Sequence, residues 1–334
     1  MPEVCEPGGI PEGWVSPSEL AGMPGEKRAV LGFSGGPDST AVFDILLRTG
    51  FEVTAVHIDH MIRDEEAERD ADFCRGFAES RGVRFILFRE DVPAEAGQRR
   101  RGIEETAREI RYSRLAEVMN KLGIPLLVTA HNADDNAETV LFNIARGCSA
   151  RGGAGIPPVR ELPGGGKLVR PALGIPKKAL LCYCLENRLD FVTDSSNGDP
   201  SYSRNRIRLR VIPELTALNG RFLSAAGAFS ESLREDCDYL DGLAAAFLSE
   251  NPHAGPAELS ALPAPVSKRV IALAARRAGA FPERRHIAAI HSALTAGRSC
   301  SVTLPGSVKA TVGRDGLTFE FDGRLKKRRT GNME

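Results

Sequence analysis

The sequence predicts an α/β fold: a doubly wound parallel sheet, followed by a smaller, mostly helical domain with a short β element. Three observations carry this reading. Short apolar runs alternate with amphipathic helical stretches from Lys27 to Ala145, the pattern of a parallel sheet covered on both faces. Past Pro213 the composition shifts to helices rich in Ala and Leu. The 334 residues are enough for two domains, and nothing repeats at a fixed period, so a solenoid is not indicated.

In order, residues 1–26 are rich in Pro and Gly, with Trp14 among them, and read as a flexible lead-in with no signal-peptide or transit-peptide pattern. Ala29–Phe33 reads as the first strand, Asp38–Arg48 as a helix, Val53–Ile58 as the second strand and Asp64–Ser80 as a polar helix. Val83–Phe88, helix Ile103–Lys121, strand Pro125–Thr129 and helix Asp134–Ala145 come next. Residues 151–170 read as a long Gly- and Pro-rich loop, and Pro176–Asn187 as a helix. After a polar, Arg-dense stretch come helices Phe222–Leu248, Val266–Ala278 and His286–Ala296, then an alternating tail from Ser301 to Phe321. The expected division is a lead at 1–26, a nucleotide-binding domain at 27–215 and a C-terminal domain at 216–334.

Composition excludes several classes. Lys+Arg and Asp+Glu both number 44, for a net charge of +0, so no global field points to nucleic acid. The zero hides opposed local fields: residues 201–210 carry four arginines and no acid, and residues 58–91 carry six basic against ten acidic residues. No apolar run approaches the roughly 20 residues of a membrane span. The seven cysteines are scattered with no CxxC pair, which argues against zinc or an iron–sulfur cluster and for free thiols in a reducing cytoplasm.

Chemistry concentrates in a few segments. Ser34-Gly35-Gly36-Pro37-Asp38-Ser39 lies between a strand and a helix, where free N–H groups, hydroxyls and close backbone approach suit a phosphate. It is neither a Walker A motif nor GxGxxG; the plainer reading is a capped strand–helix turn. Gly164-Gly165-Gly166-Lys167 opens no helix and is set aside. On the helix from Asp134, the pairs Asp134/Glu138 and Asp135/Glu138 share one face. Such carboxylates either favour a helix N-terminus or gather a cation. Arg204, Arg206, Arg208 and Arg210, with Asn205 among them, form either a solvated face or a phosphate contact. Arg99-Arg100-Arg101 offers a second, loop-borne patch, and Arg324–Arg329 a basic tail.

The glycine loop, SGGxDS, resembles the pyrophosphate loop of the N-type ATP pyrophosphatases, which have a Rossmann-like fold. Within that superfamily four further segments, in order, resemble the tRNA(Ile)-lysidine synthetase family: His57–Arg63, Glu104–Tyr112 (EETAREIRY), Ala130–Gly147 (AHNADDNAETVLFNIARG) and Asp194–Arg210 (DSSNGDPSYSRNRIRLR). The tail, including Leu304-Pro305-Gly306, matches more weakly. The resemblance implies ATP and Mg²⁺ as cofactors, with Ser34, Gly35, Gly36, Pro37, Asp38, Ser39, Asp59, His60, Arg63 and His131 around the nucleotide and Asp38 and Asp135 at the metal. It implies catalytic roles for Asp38, Arg108, Arg111, Asp134, Asp135 and Glu138, and tRNA contacts for Asn197, Arg204, Asn205 and Arg208. The implied reaction joins free L-lysine to the wobble cytidine of a tRNA(Ile) with a CAU anticodon. No membrane partner is expected, and a homodimer is among the allowed assemblies.

Asn132 stands where the family often has a second His, and Asn136 where it often has Gln, which implies altered fine geometry. The sequence reads as ending after one C-terminal domain, whereas longer members carry another, so tRNA grip is expected to rest on fewer contacts. The competing readings are a tRNA 2-thiolase, disfavoured by the missing paired cysteines, and a non-catalytic ATP- or tRNA-binding protein, disfavoured by the intact loop Asp and acidic trio.

Overall fold

The computed structural model describes residues 9–62, 64–193, 203–252, 254–313 and 316–321. The expectations for Arg63, Asn197 and the basic tail Arg324–Arg329 fall outside these residues.

The chain divides into two units. One holds the described residues through Cys148 together with Gly152–Ser230; the other holds Ser149–Arg151 and the described residues from Glu231 onward. In the first unit, after a short helix α1 (Pro17–Leu20), strand and helix alternate: β1 (Arg28–Gly32), α2 (Pro37–Arg48), β2 (Glu52–Asp59), α3 (Asp64–Glu79), β3 (Arg84–Arg89), α4 (Val92–Arg99), α5 (Ile103–Leu122), β4 (Leu126–Val128) and α6 (Ala133–Ala145). Next along the chain are α7 (Ala150–Gly153), β5 (Val159–Glu161), β6 (Lys167–Val169), α8 (Lys177–Glu186), α9 (Ser203–Arg206), a π-helical turn (Ile207–Val211) and α10 (Ile212–Leu218). The six strands run in the order β3-β2-β1-β4-β6-β5, all neighbours parallel except β5 on β6.

Side-chain alternation explains why both faces are covered. Along β1, Ala29 and Leu31 pack into one core with Ala41, Phe43, Ile45 and Leu180, while Val30 packs into the other with Leu115, Val118 and Met119. The same split recurs on β4, with Leu126 and Val128 on the first side and Leu127 on the second. A strand whose two faces both meet helices reads as a continuous apolar run, which is why β1 and β4 stand out in the sequence.

Two expectations need correction. Residues 151–170 are not one long loop: they hold α7 and the β5–β6 hairpin, and the three glycines Gly164–Gly166, all at positive φ, make its turn. Glycines carry this backbone at little steric cost, so a stretch that reads as loop by composition is a sheet edge. Helix α4 is also new to the structure; Asp91 caps it by accepting from the Ala94 amide at 2.9 Å, so Arg99 ends a helix rather than sitting in a loop.

The second unit contains most of α11 (Phe222–Glu250), then α12 (Pro256–Ala261), α13 (Ala264–Arg277), α14 (Arg284–Thr295) and the antiparallel sheet β7 (Cys300–Leu304), β8 (Val308–Gly313) and β9 (Gly316–Phe321). Its core joins Val270, Ile271, Ile290 and Leu294 of the helices to Leu304, Val308 and Ala310 of the sheet. No helix among the described residues is long and apolar enough to cross a membrane. Six cysteines are described, all free; Cys74, Cys184 and Cys237 are buried.

Candidate active site

The strand order places a crevice at the C-terminal ends of β1 and β4, where connections leave in opposite directions and ligands of open α/β sheets gather. A cleft of about 430 Å³ lies there, lined among others by Ser34, Asp38, Ser39, Asp59, His60, Arg111, His131 and Asp135. The structure thus brings four sequence motifs to one cavity.

The glycine loop is built for close approach. Gly35 sits at φ +80°, and a Cβ there would come within 2.9 Å of Cys74 Sγ and of Val192 Cγ2. Gly36 precedes Pro37, the first residue of α2, so a helix N-terminus opens on the cleft. The hydroxyls are pre-positioned: the Ser34 and Ser39 Oγ atoms lie 3.0 Å apart, Ser39 Oγ donates to the Gly36 carbonyl at 3.1 Å, and Thr40 Oγ1 donates to the Gly35 carbonyl at 3.2 Å.

Asp38 is the electrostatic focus. Its Oδ1 is buried with no hydrogen-bond partner among the described residues, and its Oδ2 lies 3.9 Å from Lys177 Nζ. Burial, helped by Asp135 and Asp134 and opposed by Lys177, pushes its pKa up to about 6. A hard divalent cation takes lone carboxylate oxygens of this kind beside phosphate oxygens, so Asp38 fits such an ion, with Asp135 of the same cleft lining as a second donor. Among the described residues no cluster of three protein ligands exists, so the remaining donors would come from substrate and water.

The acidic residues of α6 differ in occupation. Asp134 Oδ2 accepts from the Lys177 amide at 2.8 Å and so holds the start of α8. Asp135 closes a capping box with Asn132: its Oδ2 accepts from the Asn132 amide at 3.1 Å, and Asn132 Oδ1 accepts from the Asp135 amide at 3.0 Å. Its Oδ1 lies 3.5 Å from Arg208. Glu138 is buried and receives the Arg208 Nε–H; burial raises both the Asp135 and Glu138 pKa against the pull of that guanidinium. Arg208 therefore faces the carboxylates; because the segment is helical rather than extended, Arg206 and Arg210 turn off its face, while Arg204, one turn earlier, stays close enough for its charge to act on Glu138. Arg204 lies 5.8 Å from the Phe142 ring centroid, beside Asn205 on α9. Asn136 Oδ1 accepts from the Ile156 amide at 2.8 Å, and its Nδ2 lies 3.4 Å from Ser230 Oγ.

Asp59 shapes its own loop, accepting from the Met61 amide at 2.8 Å while Met61 takes φ +50°. His60 Nε2 is 3.3 Å from the Arg111 guanidinium, and burial together with that charge lowers its pKa to about 4. His131 Nδ1 is 3.0 Å from Thr129 Oγ1, and burial with Arg170, Arg108 and Arg111 nearby lowers its pKa to about 3. Both rings are neutral near pH 7.

Sequence reading missed Lys177, the cation beside Asp38, and Arg170, which is 2% exposed at the end of β6. Neither sits in a recognisable pattern; only the return of residues 167–177 beside β4 brings them in. The loop patch dissolves into ion pairs: Arg99 meets Glu95 at 2.7 Å and Glu109 at 3.1 Å, and Arg101 also pairs with Glu109.

Residues 16–215 match the model of the PP-loop domain. The chain belongs to the PP-loop family. Among curated relatives, the tRNA(Ile)-lysidine synthase of Geobacillus kaustophilus is 34% identical over 309 residues, covering 88% of this chain and 66% of that protein. The tRNA(Ile)-lysidine synthase of Parabacteroides distasonis is 40% identical over 195 residues, 58% and 43% of the two chains. The bifunctional protein TilS/HprT of Listeria monocytogenes is 32% identical over 90% of this chain and 48% of its own length. This PP-loop chain thus spans between about two fifths and two thirds of these relatives. Its fold is similar to that of the U34-tRNA thiolase NcsA from Methanococcus maripaludis, solved with its [4Fe-4S] cluster, at TM-score 0.52 and 19% identity, over 63% of this chain and 73% of that one.

Proposed function

We propose that the protein is a cytoplasmic, ATP-dependent ligase that joins lysine to C2 of the wobble cytidine in a tRNA(Ile) with a CAU anticodon. The observation that carries this reading is the convergence of the phosphate loop, the orphaned Asp38 oxygen and the α6 carboxylates on one cleft, in a chain 34% identical to a tRNA(Ile)-lysidine synthase over 88% of its length.

ATP lies over Ser34–Ser39, its phosphates met by the amides at the start of α2 and by the Ser34 and Ser39 hydroxyls. Asp38 and Asp135 hold Mg²⁺, which when bound neutralises charge on the phosphates. The C2 oxygen of the unstacked cytidine attacks the α-phosphate and pyrophosphate leaves; the ε-amine of lysine then attacks C2 and AMP leaves. Arg111, with Arg108 on the same helix, offsets the negative charge that develops during the first step. His60 and His131, neutral and half-buried, offer hydrogen bonds without adding charge beside the nucleotide.

Lysine arrives as an ammonium ion, which has no lone pair for attack. The carboxylates of α6 attract it, and a carboxylate with a pKa raised by burial is better matched to accept its proton than an exposed one. Arg204 and Asn205 contact the tRNA.

The test is incubation with ATP, Mg²⁺, labelled lysine and a CAU-bearing tRNA(Ile) transcript. Lysine-dependent AMP release with label retained on the RNA is the expected result. Absence of label transfer, with sulfur incorporated from a donor instead, would overturn the reading.

A further inference from the structure

Tyr112, in the cleft lining, is surrounded by arginines, two of which have no part in the ligation chemistry. The Arg108 guanidinium, one turn earlier on α5, lies 5.3 Å from the ring centroid, and that of Arg160, on β5, lies 4.7 Å from it. Arg170, just past β6, lies close enough to Tyr112 for the ring's hydroxyl to favour its charge, and donates from its terminal nitrogen to the Pro157 carbonyl. It is 2% exposed, yet its Nε–H has no partner among the described residues.

Acids are available nearby but are not used here. On the same helix Arg114 pairs with Glu90 and Glu117, and Glu109 pairs with Arg99 and Arg101. Among the described residues, Arg108, Arg160 and Arg170 form no ion pair with a carboxylate. Burial and the two neighbouring guanidinium groups hold Arg170 below its ordinary range. Three like charges around one ring, one of them buried with a free donor, are what an anion site looks like without its anion.

We propose that Arg160 and Arg170, gathered on Tyr112 beside Arg108, form a phosphate subsite separate from the Ser34–Ser39 loop, and that it takes a backbone phosphodiester of the RNA substrate beside the base being modified. The inference rests on the reading of the protein as an RNA-modifying enzyme. Guanidinium forks match phosphate oxygens, and their flat faces with a tyrosine ring suit the unstacked bases of a single-stranded loop. Tyr112 lines the same cleft as Ser34 and Asp38, but Arg160 stands on β5, three strands from β1 and about 14 Å across the sheet at the usual strand spacing, so the cluster extends outward from the nucleotide loop. That distance suits a polymer that crosses the cleft mouth better than a triphosphate anchored at β1.

Arg160 is exposed, so R160Q tests the subsite without emptying a core position. Dissociation constants for a tRNA(Ile) transcript, measured across a salt series, and for ATP with Mg²⁺ would be compared with the parent protein. The expected result is a several-fold loss of transcript affinity, a plot of log affinity against log salt shallower by about 0.7, and unchanged ATP affinity. An unchanged transcript affinity and slope would overturn the subsite while leaving the ligase reading standing. Weakened ATP binding with normal transcript binding would assign the cluster to the nucleotide and overturn it as well. A parent protein that binds no transcript would remove the RNA reading itself.

Discussion

Two glycine loops lie in the same unit and have opposite purposes. Gly35 and Gly36 stand between β1 and α2, and Gly164–Gly166 turn the β5–β6 hairpin. Both contain residues at positive φ, and both have a position where a Cβ would strike its surroundings: Gly35 against Cys74 and Val192, Gly166 against the Pro125 carbonyl oxygen at 2.9 Å. The two part company at the next element of the chain. The first loop opens a twelve-residue helix next to a buried, unpartnered carboxylate oxygen and two hydroxyls; the second leads directly into a three-residue strand. Glycine therefore marks tight backbone in both places, and only the donors around it mark a phosphate site.

The sharpest way to break that contrast is Asp38→Asn. Ligation should fall at least about a hundredfold, while the fold gains stability. The sign comes from its raised pKa of about 6 against an ordinary 3.8: the native state holds the proton more tightly, so stability is highest in acid and is lost as pH rises from about 4 to 6. Removing the charge should therefore add about 1–3 kcal/mol at pH 8 and almost nothing at pH 3.5. Urea titrations at the two pH values measure it; equal gains at both would show that the fold does not raise the Asp38 pKa.

Gly35→Ala comes next, because it strikes both stability and the site. Left-handed backbone and the contacts with Cys74 and Val192 should cost about 3 kcal/mol, and ATP affinity should fall in the molecules that still fold. Gly166→Ala should cost a similar amount through its φ of +80° and the Pro125 carbonyl, yet leave the ATP dissociation constant of folded protein unchanged. A loss of nucleotide binding in the second variant would erase the distinction drawn between the loops. Gly165→Ala meets no atom within 4 Å and should cost only about 1–2 kcal/mol of backbone strain, read from thermal melts. The smallest effect belongs to Arg101→Gln: it removes one of two arginines from an exposed Glu109, so the change should stay within about 0.5 kcal/mol and spare transcript binding.

Much of the site was legible because motif residues sit at strand ends, where the chain order itself delivers them to one crevice. The expected strands at Ala29–Phe33 and Pro125–Thr129 correspond to β1 and β4, and the turns after them hold Ser34–Ser39 and His131–Asp135. The hairpin at residues 159–169 was hidden because three glycines and three-residue strands have the composition of a loop; its identity comes from pairing with β4. The arginine run was also ambiguous in isolation, since strand and helix distribute the same four charges differently, and the helical turn from Ser203 to Val211 sends Arg208 to Glu138.

The sequence by itself determined the alternation of strand and helix, the phosphate loop and the acidic face of α6, because each depends on neighbours within one turn or one strand. Tertiary structure alone decided which charges are paired. Asp134 was committed to the α8 amide, Arg99 and Arg101 to Glu109, and Arg108, Arg160 and Arg170 to a common tyrosine without an acid. The physical reason is range: propensity and periodicity act over a few residues, whereas charge pairing and desolvation depend on groups as distant in the chain as Asp38 and Lys177, which meet only when the sheet is complete.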